Sequence, residues 1–393
     1  MARYLSLWLV TLLLAGCSSV NPLTWMAGDE PNDPPAELVE LENRISIRQL
    51  WSSSLGSGTD EKRLNLVATL DLGLLYLAAG EGEVAAIDVE TGKKIWEVDT
   101  DLEISGGPGA GEGLVLIGTS NAELVALDAE NGEERWRARV SSEILSVPKI
   151  ANGVVVVHTV DGKLFGFDAL DGTQIWIFDR SVPVLTLHGS SSPVISGDMV
   201  IGGFSSGKLV GLDLARGGVR WVTNLGISSG RSELERMVDI DGEPLVVGGA
   251  IFVTSFQGDM AAVSRDNGQV YWRKKLSSFV GPGADWRSLY VADAQGQVWA
   301  IQPNSGTAIW KNSDLLNRWL SPPVVLEDYV VVGDFEGYVH FLSTSDGRLV
   351  GRVRVGDDPI SSPPVVYNER LYIYSDGGSV AAMTLEDSPG ASN

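Results

Sequence analysis

Cysteine is almost missing from this chain, with one copy among 393 residues. A lone thiol excludes an internal disulfide framework and any zinc site built on clustered cysteines. Histidine is nearly as scarce. His158, His188 and His340 are the three copies, too far apart in sequence to suggest metal-ligand spacing. Positive charge is also short: 29 Lys and Arg stand against 51 Asp and Glu, a formal net charge of −22. Nucleic-acid binding needs basic clusters that neutralise phosphates, so this balance argues against it. It argues equally against a basic arm riding on anionic lipid.

What is present begins at the N-terminus. Met1-Ala2-Arg3-Tyr4 carries one positive charge, and an apolar run follows from Leu5 to Leu14. That run is too short for a membrane span. Charge, short apolar core and small residues are the layout of a secretory signal. The tetrapeptide Leu14-Ala15-Gly16-Cys17 resembles the bacterial lipobox. The resemblance implies removal of residues 1–16 and lipid on Cys17. Ser18 follows where an Asp would resemble an inner-membrane retention signal, so outer-membrane anchoring is expected. Acyl chains supply such anchoring at about 0.8 kcal/mol per buried CH₂. Residues 17–43 read as an acidic, proline-rich tether with no basic residue before Arg44, a composition that buries too little apolar surface to order itself.

At roughly 150 residues per domain, the length suggests two or three domains. An internal repeat overrides that prior. Turn glycines recur at Gly92, Gly132, Gly172, Gly217, Gly268, Gly306 and Gly347, spaced by 40, 40, 45, 51, 38 and 41 residues. A tryptophan follows four residues later in six copies: Trp96, Trp136, Trp176, Trp221, Trp272 and Trp310. Gly351 holds that place in the seventh. A small polar residue precedes most of these glycines and bonds local backbone, while the glycine accepts positive φ. Hairpins open at Gly82, Ala122, Gly162, Gly207, Gly258, Gly296, Gly337 and Gly378, which gives eight units. The eighth lacks its Trp strand. Trp51 has the pattern of that strand without a hairpin before it. The expected fold is therefore an all-β, eight-bladed β-propeller of four-stranded blades over residues 44–386, with the N-terminal strand completing the last blade. Residues 387–393 are expected to be a disordered tail. The Trp series is expected to pack between neighbouring blades.

Other motifs fail on context. Gly202 to Lys208 matches part of a P-loop, but Leu209 stands where a hydroxyl must meet magnesium. Asp239-Ile240-Asp241-Gly242 lacks the third acid of a calcium loop. Gly106 to Gly113 precedes a strand instead of opening a helix and reads as a loop. A serine-triad elbow has no supporting context. What remains is a rigid body that presents loops. Two connections exceed the period, around Val182–Gly189 and Gly226–Pro244, and insertions in repeat arrays often mark the binding face.

The repeat resembles the pyrroloquinoline-quinone-type propeller repeat over residues 47–385. Quinoprotein dehydrogenases share it, but they place a vicinal cysteine pair, a calcium site and a base above the quinone. The cysteine pair is missing here, so a quinone-dependent periplasmic dehydrogenase stays only as an alternative, beside another kind of envelope adaptor. No catalytic residue, metal ligand or cofactor is assigned.

Lipobox, eight repeats and the two long connections together resemble the BamB family, lipoproteins of the outer-membrane β-barrel assembly machinery. Leu185-Thr186-Leu187-His188-Gly189 and Arg236-Met237-Val238-Asp239-Ile240-Asp241 are similar to two family segments, as are Ser313 to Arg318 and Val332 to Tyr338. The resemblance implies a non-enzymatic scaffold on the periplasmic face of the outer membrane. It implies contact with the periplasmic domains of BamA through Leu185, Leu187, His188, Asp239 and Asp241. Unfolded outer-membrane proteins are a further partner class, which nothing in the sequence locates. His188 replaces a family arginine, which exchanges a permanent cation for a pH-dependent one. If extended, the first segment points Leu185 and Leu187 to one side, and Asp239 and Asp241 form a same-side acid pair.

Overall fold

Each repeat folds into one small antiparallel sheet, and eight such sheets form a ring. The computed structural model describes residues 34–59, 62–179, 191–205, 207–226 and 238–386, and no helix occurs among them. Chain contacts separate Met1–Pro35 from Ala36–Asn393, and the propeller lies in the second unit. The first blade shows the pattern. Its strands are Thr69–Asp71, Leu74–Ala78, Glu83–Asp88 and Lys94–Asp99, ordered from the axis outward. The middle strands are buried on both faces and read as apolar runs, such as Val154–His158. The outer strands alternate, as in Gln174–Asp179.

The second blade departs from four strands. Asn65–Leu66 adds a short parallel strand beside Gly106 and Gly107. The glycine-rich stretch read as a loop is itself strand, Ile104–Gly111. Its glycines answer to packing. A side chain at Gly106 would meet the carbonyls of Ile144 and Ser146 at 2.5 Å, and one at Gly109 would strike the Pro148 carbonyl.

The ring closes as expected. Ser46–Ser54 pairs antiparallel with Ser379–Glu386, from Ser46 opposite Glu386 to Ser54 opposite Ser379. It is the outer strand of the eighth blade. Arg48 and Glu386 form an exposed ion pair at one end of this pairing.

The tryptophans join the blades. The Trp51 indole N–H donates to the Val89 carbonyl at 3.0 Å. Trp96 does the same to Ala129, Trp136 to Ala169 and Trp176 to Leu214, at 2.8–2.9 Å. Trp221 reaches Arg265, Trp272 reaches Pro303 and Trp310 reaches Thr344. Every acceptor sits in the turn that precedes the outer strand of the next blade. The ring itself lies on that turn's glycine: a side chain at Gly92 would meet Trp51 at 2.5 Å, and one at Gly172 would meet Trp136 at 2.5 Å. Positive φ at these glycines, +71° and +72°, adds a second reason for the residue type.

Two local devices aim the ring. A β-bulge falls just before each Trp, as where Trp176 pairs Gly166 but Gln174 pairs Phe167. Bulges bend and twist a strand and so redirect the side chain that follows. The residue opposite the Trp is small: Ala86, Ala126, Gly166, Gly211, Ala262, Ala300 or Ala382. The seventh blade inverts the pair, with Phe341 opposite Gly351. There the space over Gly351 is taken by Ile45 and Ile47 from the N-terminal segment.

One Trp buries about 150–250 Å², or roughly 5 kcal/mol of gross transfer free energy at about 25 cal/mol per Å². Trp176 is 6% exposed. Trp176→Phe keeps most of the area and leaves the Leu214 carbonyl without its donor, so a loss of about 1–3 kcal/mol is expected. Trp176→Ala opens the seam as well and should cost about 3–5 kcal/mol. Urea denaturation of both variants checks this. A loss below about 1 kcal/mol for the alanine variant would show that the ring does not hold the seam.

Candidate functional site

The connections between blades converge on one mouth of the central channel. Leu145, Val147, Asp241, Glu243, Phe279, Pro322 and Ser361 are among the residues around a cavity of about 810 Å³. Buried serines fasten these connections to the sheets. Ser105 Oγ donates to the Ile144 carbonyl at 2.9 Å, Ser146 Oγ to His158 at 2.9 Å and Ser362 Oγ to Tyr374 at 2.9 Å. The Ser321 hydroxyl accepts from the Gly333 N–H at 2.8 Å. A buried hydroxyl is stable only when bonded in this way.

Leu185, Leu187 and His188 lie outside the described residues. Their flanks are fixed. Asp179 ends the outer strand of the third blade. On the far side Ser191 Oγ donates to the Gly242 carbonyl at 3.0 Å, and Ser192 Oγ accepts from the Val147 N–H at 2.9 Å. His158 Nδ1 donates to the Ser191 carbonyl at 3.0 Å, which fixes the tautomer. Complete burial pushes this histidine down to about 4, so it is neutral at ordinary pH.

The acid pair is placed differently from the expectation. Asp239 is 1% exposed, between buried Val238 and Ile240, so its carboxylate does not stand on the surface. Its backbone bridges Ser205 and Phe256, and the Phe256 N–H donates to its carbonyl at 2.8 Å. Wedged between the fourth and fifth blades, the segment is enclosed on both sides, and strand alternation no longer decides exposure. Asp241 is partly buried and borders the channel mouth. Burial, followed by the charge of Asp239, pushes its carboxyl up to about 7. Nearby, Lys149 and Glu243 pair at 3.0 Å. Phe256 and Phe279 stack with ring centres 4.4 Å apart, Phe279 being half exposed. Nothing in the residue pattern pointed to this aromatic pair, because its members lie in two separate connections.

A second constellation joins the two segments Ser313–Arg318 and Val332–Tyr338. Arg318 Nε donates to Asp334 Oδ2 at 2.8 Å, and its Nη2 pairs with Glu336. His340 Nε2 donates to the same Asp334 oxygen at 2.8 Å, and its Nδ1 accepts from Arg352 Nε at 3.3 Å. Asp334 and His340 are fully buried. Burial holds His340 below the usual imidazole range. His340, Arg318 and backbone N–H donors keep the Asp334 carboxylate ionised against its burial. With no nucleophile among these partners, the arrangement is an ionic knot. His158 and His340 thus sit in different blades, each with its own partners. No group of three or more His, Cys, Asp or Glu able to hold a metal occurs among the described residues.

The family model described as outer membrane protein assembly factor BamB matches residues 80–312 and 300–388. A protein of that name from Pseudomonas aeruginosa is 47% identical over 383 residues, covering 98% of this chain and 99% of its own. One from Alkalilimnicola ehrlichii is 48% identical, covering 95% and 94%. Among solved structures, BamB from Moraxella catarrhalis superposes with a TM-score of 0.79 at 27% identity, covering 86% of this chain and 100% of that one. Quinohemoprotein alcohol dehydrogenase from Comamonas testosteroni gives 0.67 at 14% identity, covering 90% and 80%. That last likeness is one of fold.

Asp241 generates a pH prediction. Its folded pKa lies above the unfolded value near 3.9. Between about pH 4 and 7 the native state holds the extra proton, so the stability linked to this group is present at low pH and lost as pH rises to about 7. Asp241→Asn should remove that part. The variant's Tm relative to the parent should climb from pH 5 to pH 8. A constant difference across that range would show that Asp241 titrates in the fold as it does in the unfolded chain.

Proposed function

The chain belongs to the BamB family of outer membrane protein assembly factors, and from that membership we propose how it serves the assembly machinery: as a lipid-anchored, non-enzymatic scaffold that binds the periplasmic domains of BamA. The observation that carries this reading is full-length similarity, 47% identity over 98% of the chain. At that coverage it spans the ring and both long connections.

The geometry supports a binding role. A ring of interlocked blades holds its connections at defined points, which suits a surface for a partner. The segments 180–190 and 227–237 both begin after an outer strand and end before an inner one, at Asp179, Ser191, Gly226 and Val238. Those four described flanks lie on the side of the blades that bears the channel mouth. Leu185, Leu187 and His188 in the first segment, with Asp241 at the rim, are the proposed contacts. Asp239 acts from beneath, through its backbone bridges and its charge on Asp241. With its carboxyl raised to about 7, Asp241 takes up full negative charge when a basic partner group pairs with it, and that pairing weakens with salt. Cys17 carries the lipid, and Ser18 directs the protein to the periplasmic face of the outer membrane. The role assists folding and insertion of barrel proteins without chemistry of its own.

Leu185→Ala combined with Leu187→Ala should abolish co-purification with BamA while the circular dichroism spectrum stays that of the parent. Unchanged co-purification at normal expression overturns the site. Cys17→Ser should move the protein from the outer-membrane fraction to the soluble periplasm and abolish palmitate labelling. If it stays in the membrane fraction, the anchor is elsewhere. The dehydrogenase alternative gains support only if added pyrroloquinoline quinone and calcium give dye reduction.

A further inference from the structure

The first strand of the ring and the chain that leads into it begin at opposite faces. Ser46 pairs with Glu386 and Ser54 with Ser379. Glu386 ends the third strand of its blade, on the face of the Gly92-type turns. Ser379 follows the tight turn Ser375–Gly378 on the other face. The polypeptide thus enters the ring at the glycine-turn face.

Residues 36–44 begin elsewhere. The Arg44 N–H donates to the Val350 carbonyl at 2.8 Å. Asn43 exchanges two hydrogen bonds with the Arg352 backbone, at 3.0 and 2.9 Å. Arg352 Nη1 donates to the Val39 carbonyl at 3.1 Å, and Arg318 Nη1 to the Ala36 carbonyl at 3.0 Å. The Ala36 N–H donates to the Leu316 carbonyl at 2.9 Å. Leu38 packs against the buried cluster that holds Leu315 and Leu320. Leu316 lies between the outer strand Ala308–Asn312 and the inner strand Val324–Leu326. It therefore belongs to the face of the inter-blade connections.

We propose that residues 36–44 form a strap, seated along the seventh blade by Arg318 and Arg352, that carries the chain's exit from the glycine-turn face to the face bearing the inter-blade connections. The ionic knot is the seat's foundation. Asp334, Glu336 and His340 hold the two guanidinium groups, and Phe335 and Tyr338 lie 5.1 and 6.0 Å beneath them. Each arginine then has an Nη donor left for a strap carbonyl. Recognition of main-chain carbonyls ignores side-chain identity. Leu38 and Asn43 supply the register.

The consequence concerns the anchor, and that part alone rests on lipid at Cys17. An unseated strap would release Ala36 from the face of the inter-blade connections. A seated strap holds Ala36 on that face, beside Leu316.

The test uses the full chain with spin labels on Glu37→Cys and on either Gln295→Cys, at the connection face, or Asp328→Cys, at the glycine-turn face. Pulsed dipolar spectroscopy should give a short, narrow distance from 37 to 295 and a longer one from 37 to 328. Leu38→Asn with Asn43→Ala should broaden both distributions, while a 295-to-328 pair stays unchanged and certifies the folded ring. A broad 37-to-295 distribution in the parent, or no change in the double variant, overturns the strap. Palmitate labelling of Cys17 on the same preparation separates the two readings: its absence removes the anchor and leaves the strap intact.

Discussion

The ring depends on one contact repeated seven times. An indole N–H reaches a carbonyl in the next blade's turn, and the indole ring covers that turn's glycine. Both halves are needed. A buried indole N–H without an acceptor would cost free energy. A turn with any Cβ would push the ring off its seat. Because the donor lies in one sheet and the acceptor in its neighbour, each blade is fixed by the one before it. Sheets with a small core of their own thereby become one cooperative body.

The exception explains how the ring starts and ends. In the seventh blade Gly351 replaces the Trp, and Phe341 replaces the small residue opposite. A Trp there would collide with the N-terminal segment, since Ile45 and Ile47 already fill the space above Gly351. Volume is conserved across the seam, with apolar bulk supplied from a different part of the chain. The eighth blade then regains the ordinary rule through Trp51, which closes on Gly92. A single discontinuity in the repeat thus marks where the chain enters the propeller.

Much of this was legible because it is local. The hairpin openings from Gly82 to Gly378 set the blade count, and glycine and tryptophan four residues apart set the turn chemistry and the closing strand. The bulge and the small residue opposite each Trp were missed, although Ala86, Ala126, Gly166 and Gly211 recur in plain sight. Their meaning appears only once strands are paired. The glycine run at Gly106 reads as a loop for a similar reason: its cause is Ile144 to Pro148, in the connection to the next blade. Strand alternation puts Asp239 and Asp241 on one side, and it fails where a segment is wedged between two sheets. The knot of Arg318, Asp334, His340 and Arg352 was visible only as two unexplained segments, since the backbone atoms it serves are some 280 residues or more away, at Ala36 and Val39.

A rigid ring also settles where variation is tolerated. Closing a longer loop costs little, about 0.6 kcal/mol for each doubling of length, provided that its ends stay in place. Here the ends are bonded to neighbouring connections and a hairpin turn: Ser191 to Gly242, Ser192 to Val147, and Gly226 to the Gly207 carbonyl at 3.0 Å. The ring therefore specifies where the two long connections leave and return without depending on their length. It can present different sequences at those points while the seams stay unchanged. Two dehydrogenases among the solved structures superpose on the ring at 14% identity, a likeness of fold alone.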